Sequence, residues 1–242
     1  MQKIKIKIIQ YGQLPKKINY KEIMNHKSSI FKVVNCECIP YMPDCDNGKD
    51  YIHYSDEQWK CLVPQGNQDV DLVFGITNFA LDGNFYSRRL GNGRVIFSFF
   101  HIREHLNNAN IPLENVIIQQ FYAYGLYLTA HKSFDNVLMC HDETRGCLYD
   151  MNGNLSDIVF GCQKLNLCGE CQNKLTSWGL SKKEVKEIIK ELNKVKKTLF
   201  YIIVDFIKCH PVLALIISFM ISVLSDLTSS GIIYLWQKLF DW

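Results

Sequence analysis

The chain lacks an excess of charge of either sign: 27 Lys and Arg stand against 24 Asp and Glu, a formal net charge of +3. A balance so close to neutral is too small to argue for nucleic acid, and no such partner is expected. It also lacks the low hydrophobicity of a disordered chain. With 48% hydrophobic and 21% charged residues over 242 positions, it can bury a full core as one large domain, or as a domain with an appendage. The opening MQKIKIKIIQYG alternates Lys with Ile and contains no continuous apolar run, so no signal peptide is expected there. Ten cysteines without an export signal indicate a reducing compartment, with thiols free or metal-bound rather than paired in disulfides. The expected location is the cytoplasm.

Half of those cysteines fall in 140–171, CHDETRGCLYDMNGNLSDIVFGCQKLNLCGEC. Cys168 and Cys171 form a Cys-x2-Cys knuckle, and Cys147 follows an adjacent Cys140-His141 pair. Two donors from one tight turn and two from another suit tetrahedral Zn²⁺. The ligand set read here is His141, Cys147, Cys168 and Cys171, with Cys140 in place of His141 as the alternative, since adjacent side chains diverge. Four protein ligands close the coordination sphere, so such a zinc is structural. The bland alternative is a set of ordinary buried thiols, Cys162 among them.

Upstream, 3–10 has the period of a half-buried strand, with lysines suited to protecting a sheet edge. The stretch 19–31 reads as a helix and 32–34 as a short strand. Residues 35–66 are weakly periodic and read as a variable loop insertion; Cys36, Cys38 and Cys45 there are a poor second metal site. The apolar run 69–78 and the run 93–100 read as buried strands. They flank an irregular excursion, 80–90, that carries Arg88 and Arg89, and 115–131 reads as a helix.

This order of features resembles the archaemetzincin-type zinc peptidases. Gly75-Ile76-Thr77 and Val95-Ile96-Phe97-Ser98 resemble that family's two strand ends. Cys147-Leu148-Tyr149-Asp150-Met151 and Cys168-Gly169-Glu170-Cys171 resemble the last three ligands of its extra zinc site. The resemblance spans about 69–175. It implies an α+β fold, with a zincin-like mixed sheet, helices and a zinc knuckle. The family's catalytic HExxHxxGxxH is missing: QQFYAYGLYLTAH has one histidine, His131, and no glutamate. His131 and Asp135 share helical spacing, but two ligands make no peptidase site. His101-x-x-Glu104-His105 matches the inverted zincin order and is the alternative catalytic site. Without it, the chain is a zincin-like scaffold with no catalytic residues, and more a non-enzyme than an enzyme.

Beyond 178 the pattern changes. Ser181-x-x-Glu184 is a capping box, opening an apolar periodicity that runs from Val185 to Phe206 and stops at Pro211. Thirteen residues, 212–224, then carry no charge. Asp226 interrupts, and apolar residues resume toward Trp236 and Trp242. The domain expectation is therefore 1–178, zincin-like with the knuckle at 140–171, and 181–242, a hydrophobic and amphipathic helical hairpin. A buried hairpin packing on itself is one reading of this tail. Burial of 199–240 in a membrane, at its inner face, or in a homo-oligomer or protein partner suits its uniform hydrophobicity better. A zincin-like domain controlling such a hairpin resembles bacterial conflict and antiviral defence effectors in architecture. The competing function is a membrane-tethered zinc metallopeptidase using His101, Glu104 and His105.

Overall fold

The computed structural model describes residues 2–14, 17–46, 53–131, 134 and 140–239. Asp135 and Trp242 lie outside the described residues. The chain divides into two compact units, Met1–Lys197 and Thr198–Trp242.

The first unit is built on β1 (Ile4–Tyr11), β2 (Phe31–Ile39), β4 (Leu72–Thr77), β6 (Ser87–Gly91) and β7 (Arg94–Ser98); β3 (His53–Tyr54) and β5 (Ala80–Leu81) form a separate short pair. The five-stranded order is β2-β1-β4-β7-β6, parallel except for β6, which runs antiparallel to β7 at one edge. Strand periodicity decides which side each residue serves. Ile6, Ile8, Phe74, Ile76, Val95 and Phe97 enter the larger core. Ile9, Tyr11, Val73 and Ile96 enter a smaller core on the opposite face. Gly75 makes room on β4, since a Cβ there would stand 2.7 Å from Ile96 Cδ1.

The larger core is closed by α1 (Tyr20–Asn25), α3 (Ile102–Asn108), α4 (Leu113–His131), α5 (Ile158–Gln163), α6 (Gly169–Ser177) and α7 (Lys182–Leu192). The dominant helix is α4, whose Phe121 meets Phe31 and Phe74 edge-on at 5.4 and 5.0 Å between ring centroids. The expected α+β mixed sheet and the long helix at 115–131 are both present.

Several local expectations are corrected. β1 is an inner strand, flanked by β2 and β4. Its lysines face the open end of the second side, where Lys7 pairs with Glu37 at 2.8 Å. The described residues of 35–66 are not simply a loop insertion; those at 47–52 lie outside the described residues. β2 stays paired with β1 as far as Ile39, across a one-residue register shift after Ile6, and α2 (Asp56–Leu62) seats the buried Trp59 against Tyr11 and Tyr54. The helix expected over 19–31 stops at Asn25, because Ser28 to Phe31 turn into β2 and Ser28 Oγ accepts the Ile30 amide at 3.0 Å. The excursion at 80–90 contains the edge strand β6.

The helix expected to run from 181 to Pro211 is broken. α7 starts at the Ser181–Glu184 capping box and ends at Leu192. The backbone then pairs with the end of α5, Leu165 N donating to Val195 O at 3.2 Å and Lys197 N to Gln163 O at 3.3 Å. Val185, Ile188 and Leu192 belong to the larger core, so α7 is part of the first unit and the division falls at 197/198 rather than at 178–181.

Glu191 fastens α7 there. Its carboxylate accepts from Tyr122 Oη at 2.6 Å, Ser29 N at 2.8 Å and Ser29 Oγ at 2.7 Å. Burial pushes this carboxyl up, but the hydrogen bonds from Tyr122 and Ser29 outweigh it and its pKa lies below the usual glutamate value. Its stabilisation is therefore complete above the ordinary glutamate range and is lost as pH falls through the lowered value. Glu191→Ala strands these donors, and at about 2 kcal/mol the melting temperature at pH 7 should drop by roughly 4–8 °C. The deficit should shrink in acid, which melting curves at the two pH values will show.

The second unit consists of α8 (Leu199–Cys209) and α9 (Pro211–Leu239), joined at His210. α9 runs unbroken through Asp226 and Gly231. Thr228 Oγ1 and Ser230 Oγ return their hydrogens to the carbonyls of Ser225 and Asp226 at 2.8 and 2.9 Å, so hydroxyls in mid-helix are satisfied locally. The hairpin does not bury itself: from Pro211 to Lys238 every side chain but Ala214 is exposed.

Candidate metal centre

His141, Cys147, Cys168 and Cys171 are brought together by three short devices. A bridge between His141 and Asp150, with His141 N donating to Tyr149 O at 3.2 Å and Met151 N to His141 O at 3.0 Å, closes the 141–151 loop on itself. Gly146, at φ +66°, turns the chain so that Cys147 points inward. Cys168 is the N-cap of α6, which places Cys171 in the first turn on the same side. Cys168 N then donates to Cys147 Sγ at 3.3 Å.

The four donor atoms lie within 4.8 Å of one another. A tetrahedron around Zn²⁺ with metal–sulfur bonds of about 2.3 Å has edges of about 3.8 Å, so three sulfurs and one imidazole nitrogen at this spacing fit a zinc ion. The imidazole is held in the tautomer that ligation requires. His141 Nδ1 lies 2.9 Å from the Glu143 carbonyl, which can only accept, so Nδ1 carries the hydrogen. Nε2 is left with its lone pair facing Cys168 Sγ at 3.5 Å. Asp150 Oδ1 stands 3.4 Å from the same Nδ1, while Oδ2 accepts the amides of Arg145 and Cys147 at 3.0 and 2.9 Å. A ligand histidine whose outer nitrogen is held by a carbonyl and a carboxylate is a recurrent metal-site arrangement.

Electrostatics favour a thiolate. The Cys171 thiol and the Cys168 and Tyr149 amides, all directed at Cys147, hold its pKa well below the usual thiol value against the opposing effect of burial. Cys171 keeps the shared proton and is pushed up, by that hydrogen bond and by burial. Outside the knuckle, Arg145 spans Glu143 at 2.6 Å and Glu170 at 3.0 Å and clamps the two turns together.

Cys140 is not in this group; it lines a cavity on the far side of the 141–151 loop. Cys162 is buried apart, its Sγ 2.8 Å from Gln119 Oε1. Among the described residues no second metal-holding group forms from Cys36, Cys38 and Cys45, nor from His101, Glu104 and His105. His101 precedes α3 at φ +64° with its ring on Phe100 at 4.0 Å, and Glu104 is exposed beside Arg103. His131 packs on Trp178 at 4.1 Å between ring centroids. Asp150 and Arg145 were missed as supports in the sequence, although an aspartate three residues after Cys147 is a turn signal.

No family model matches the chain, and no curated protein matches it. Among solved structures, the chain is similar to an archaemetzincin from Methanopyrus kandleri, at 16% identity and a TM-score of 0.46, over 73% of this chain and 95% of that one.

Proposed function

We propose that this protein is a zinc-stabilised, catalytically inactive zincin-like domain that attaches itself to a membrane through α9. One observation carries the reading: no residue of the apolar helix 211–238 is buried within the structure. Its 29 residues extend about 44 Å, longer than a hydrocarbon core of about 30 Å. α8, at about 16 Å, is too short to cross and lies in the interface. Asp226 falls near the middle of α9 and Ser218, Ser222, Ser225 and Ser229 recur at helical spacing beside it. That polar strip turns inward on a second copy of the helix rather than toward lipid. The reducing cytoplasm, where the knuckle thiols survive, is the side on which the first unit resides.

The knuckle holds one Zn²⁺ through His141 Nε2 and the three thiolates, and the role of that ion is to tie the 141–151 loop to α6. The absence of chemistry is supported by α4, which offers no glutamate between Asn115 and His131 and one histidine at its end. When the full chain is mixed with lipid vesicles and centrifuged through a density step, it should float with the vesicles and resist extraction by high salt. Recovery of the folded chain in the dense soluble fraction would sink the membrane reading. Asp150→Asn keeps the ligands but weakens the grip on the His141 ring, so zinc loss to a chromogenic chelator should become easier by about tenfold or more.

A further inference from the structure

We infer that the cavity between β6 and α4 binds a small carboxylate-bearing molecule with an aromatic or aliphatic body, recognised by Arg89 and Gln120. The cavity measures about 490 Å³, within the range of small-molecule sites of roughly 300–1,000 Å³. Phe85, Tyr86, Tyr124, Leu148, Tyr149 and Met151 supply most of its wall, so the body of a ligand meets aromatic and aliphatic surface.

Three groups on that wall, Gln120, Tyr86 and Arg89, have donor capacity to spare, whereas Ser87 and Tyr124 pair with each other and Tyr149 Oη donates to the Ala123 carbonyl. Gln120, on α4, is 6% exposed and its amide has no hydrogen-bond partner among the described residues. Its amide therefore opens onto the cavity, where a ligand acceptor can reach it. Tyr86 Oη accepts from Asn152 Nδ2 at 3.1 Å, leaving its own hydrogen uncommitted. Arg89 spreads its guanidinium over the Tyr127 ring at 5.7 Å and donates once, to the Phe134 carbonyl at 3.4 Å. No carboxylate among the described residues pairs with it, whereas its neighbour Arg88 is held by Asp56. The carboxylate on the wall, Asp150, directs Oδ2 to the amides of Arg145 and Cys147 and Oδ1 toward His141. One uncompensated planar cation with two neutral donors matches a single carboxylate, which a guanidinium grips through two parallel hydrogen bonds. This site shares the 141–151 loop with the knuckle, which is why the zinc-loaded chain is used, and it takes no residue from the tail.

The test uses the zinc-loaded full chain in detergent micelles, titrated with 3-phenylpropionate and with its uncharged amide. The readout is the ¹³C-methyl NMR signal of Met151, assigned by Met151→Leu. The Met220 methyl, on α9, reports partition of the probe into the micelle. The carboxylate should shift Met151 saturably at roughly millimolar concentration without shifting Met220, and the amide should bind at least about tenfold more weakly. Arg89→Gln and Gln120→Leu should each abolish that preference while zinc content and melting temperature stay at wild-type values. Equal binding of acid and amide, or no saturable shift of Met151, would overturn the inference. Should either variant fail to fold, the acid-to-amide ratio on the wild type decides alone.

Discussion

Ile217→Lys combined with Leu224→Lys is expected to release the full chain from lipid vesicles almost completely. Both side chains are exposed on α9, seven residues and about two turns apart, on the side away from Ser218, Ser222 and Ser225. Each lysine near the centre of a span costs about 3 kcal/mol relative to the apolar residue it replaces, so the pair costs about 6 kcal/mol, or four orders of magnitude in partition. The first unit contributes no residue to this helix, so the double variant should keep its zinc. Asp226→Leu should act in the opposite sense on insertion, strengthening it, while weakening cross-linking between copies if the polar strip is their contact. Flotation of the three proteins side by side checks both effects. Retention of the double-lysine variant on vesicles would mean that attachment does not run through α9.

The second large effect belongs to the knuckle. Cys171→Ser removes a buried sulfur from the donor group and leaves a hydroxyl, a weak zinc ligand, beside Cys147. Binding of a structural zinc contributes about 10–16 kcal/mol, which equals or exceeds the whole net stability of a typical domain, about 5–15 kcal/mol. The variant should therefore lose its metal and show a melting transition lower by about 10 °C or more, or none at all. Cys140→Ser is the matched control and should retain both zinc and stability, because Cys140 lies outside the group. Because thiols and imidazole must shed protons to bind, zinc should also be held more tightly at pH 8 than at pH 6. Loss of zinc from Cys140→Ser and its retention in Cys171→Ser would reverse the assignment.

The parts of this fold that could be read in advance are those where local and long-range demands agree. Leu72 to Ile76 is apolar throughout because the strand is buried on both faces, and the run announces that directly. The capping box at Ser181 and Glu184 forms as its residues require. Cys168-Gly169-Glu170-Cys171 is legible because a knuckle is local, and the cysteine order placed Cys147 with it. Errors arose where a distant partner decides. Cys36 to Ile39 looks irregular, yet pairs with Ile8 to Tyr11 because β1 offers it a free edge. Trp59 lies in a polar stretch whose only apolar purpose is to close the small core. The break after Leu192 comes from α5, some thirty residues upstream, and no residue between 193 and 198 signals it strongly. Gln120 and Arg89 carry no motif at all; only the assembled cavity gives them a role.

Zinc content per chain, measured on the full protein purified under reducing conditions, tests the central claim most directly. The expected result is one tightly held zinc, absent from Cys171→Ser and unchanged in His105→Ala. Two zincs, one of them removed by His105→Ala, would contradict the claim by restoring a catalytic metal to the domain; a chain that folds with no zinc would contradict it by removing the structural one.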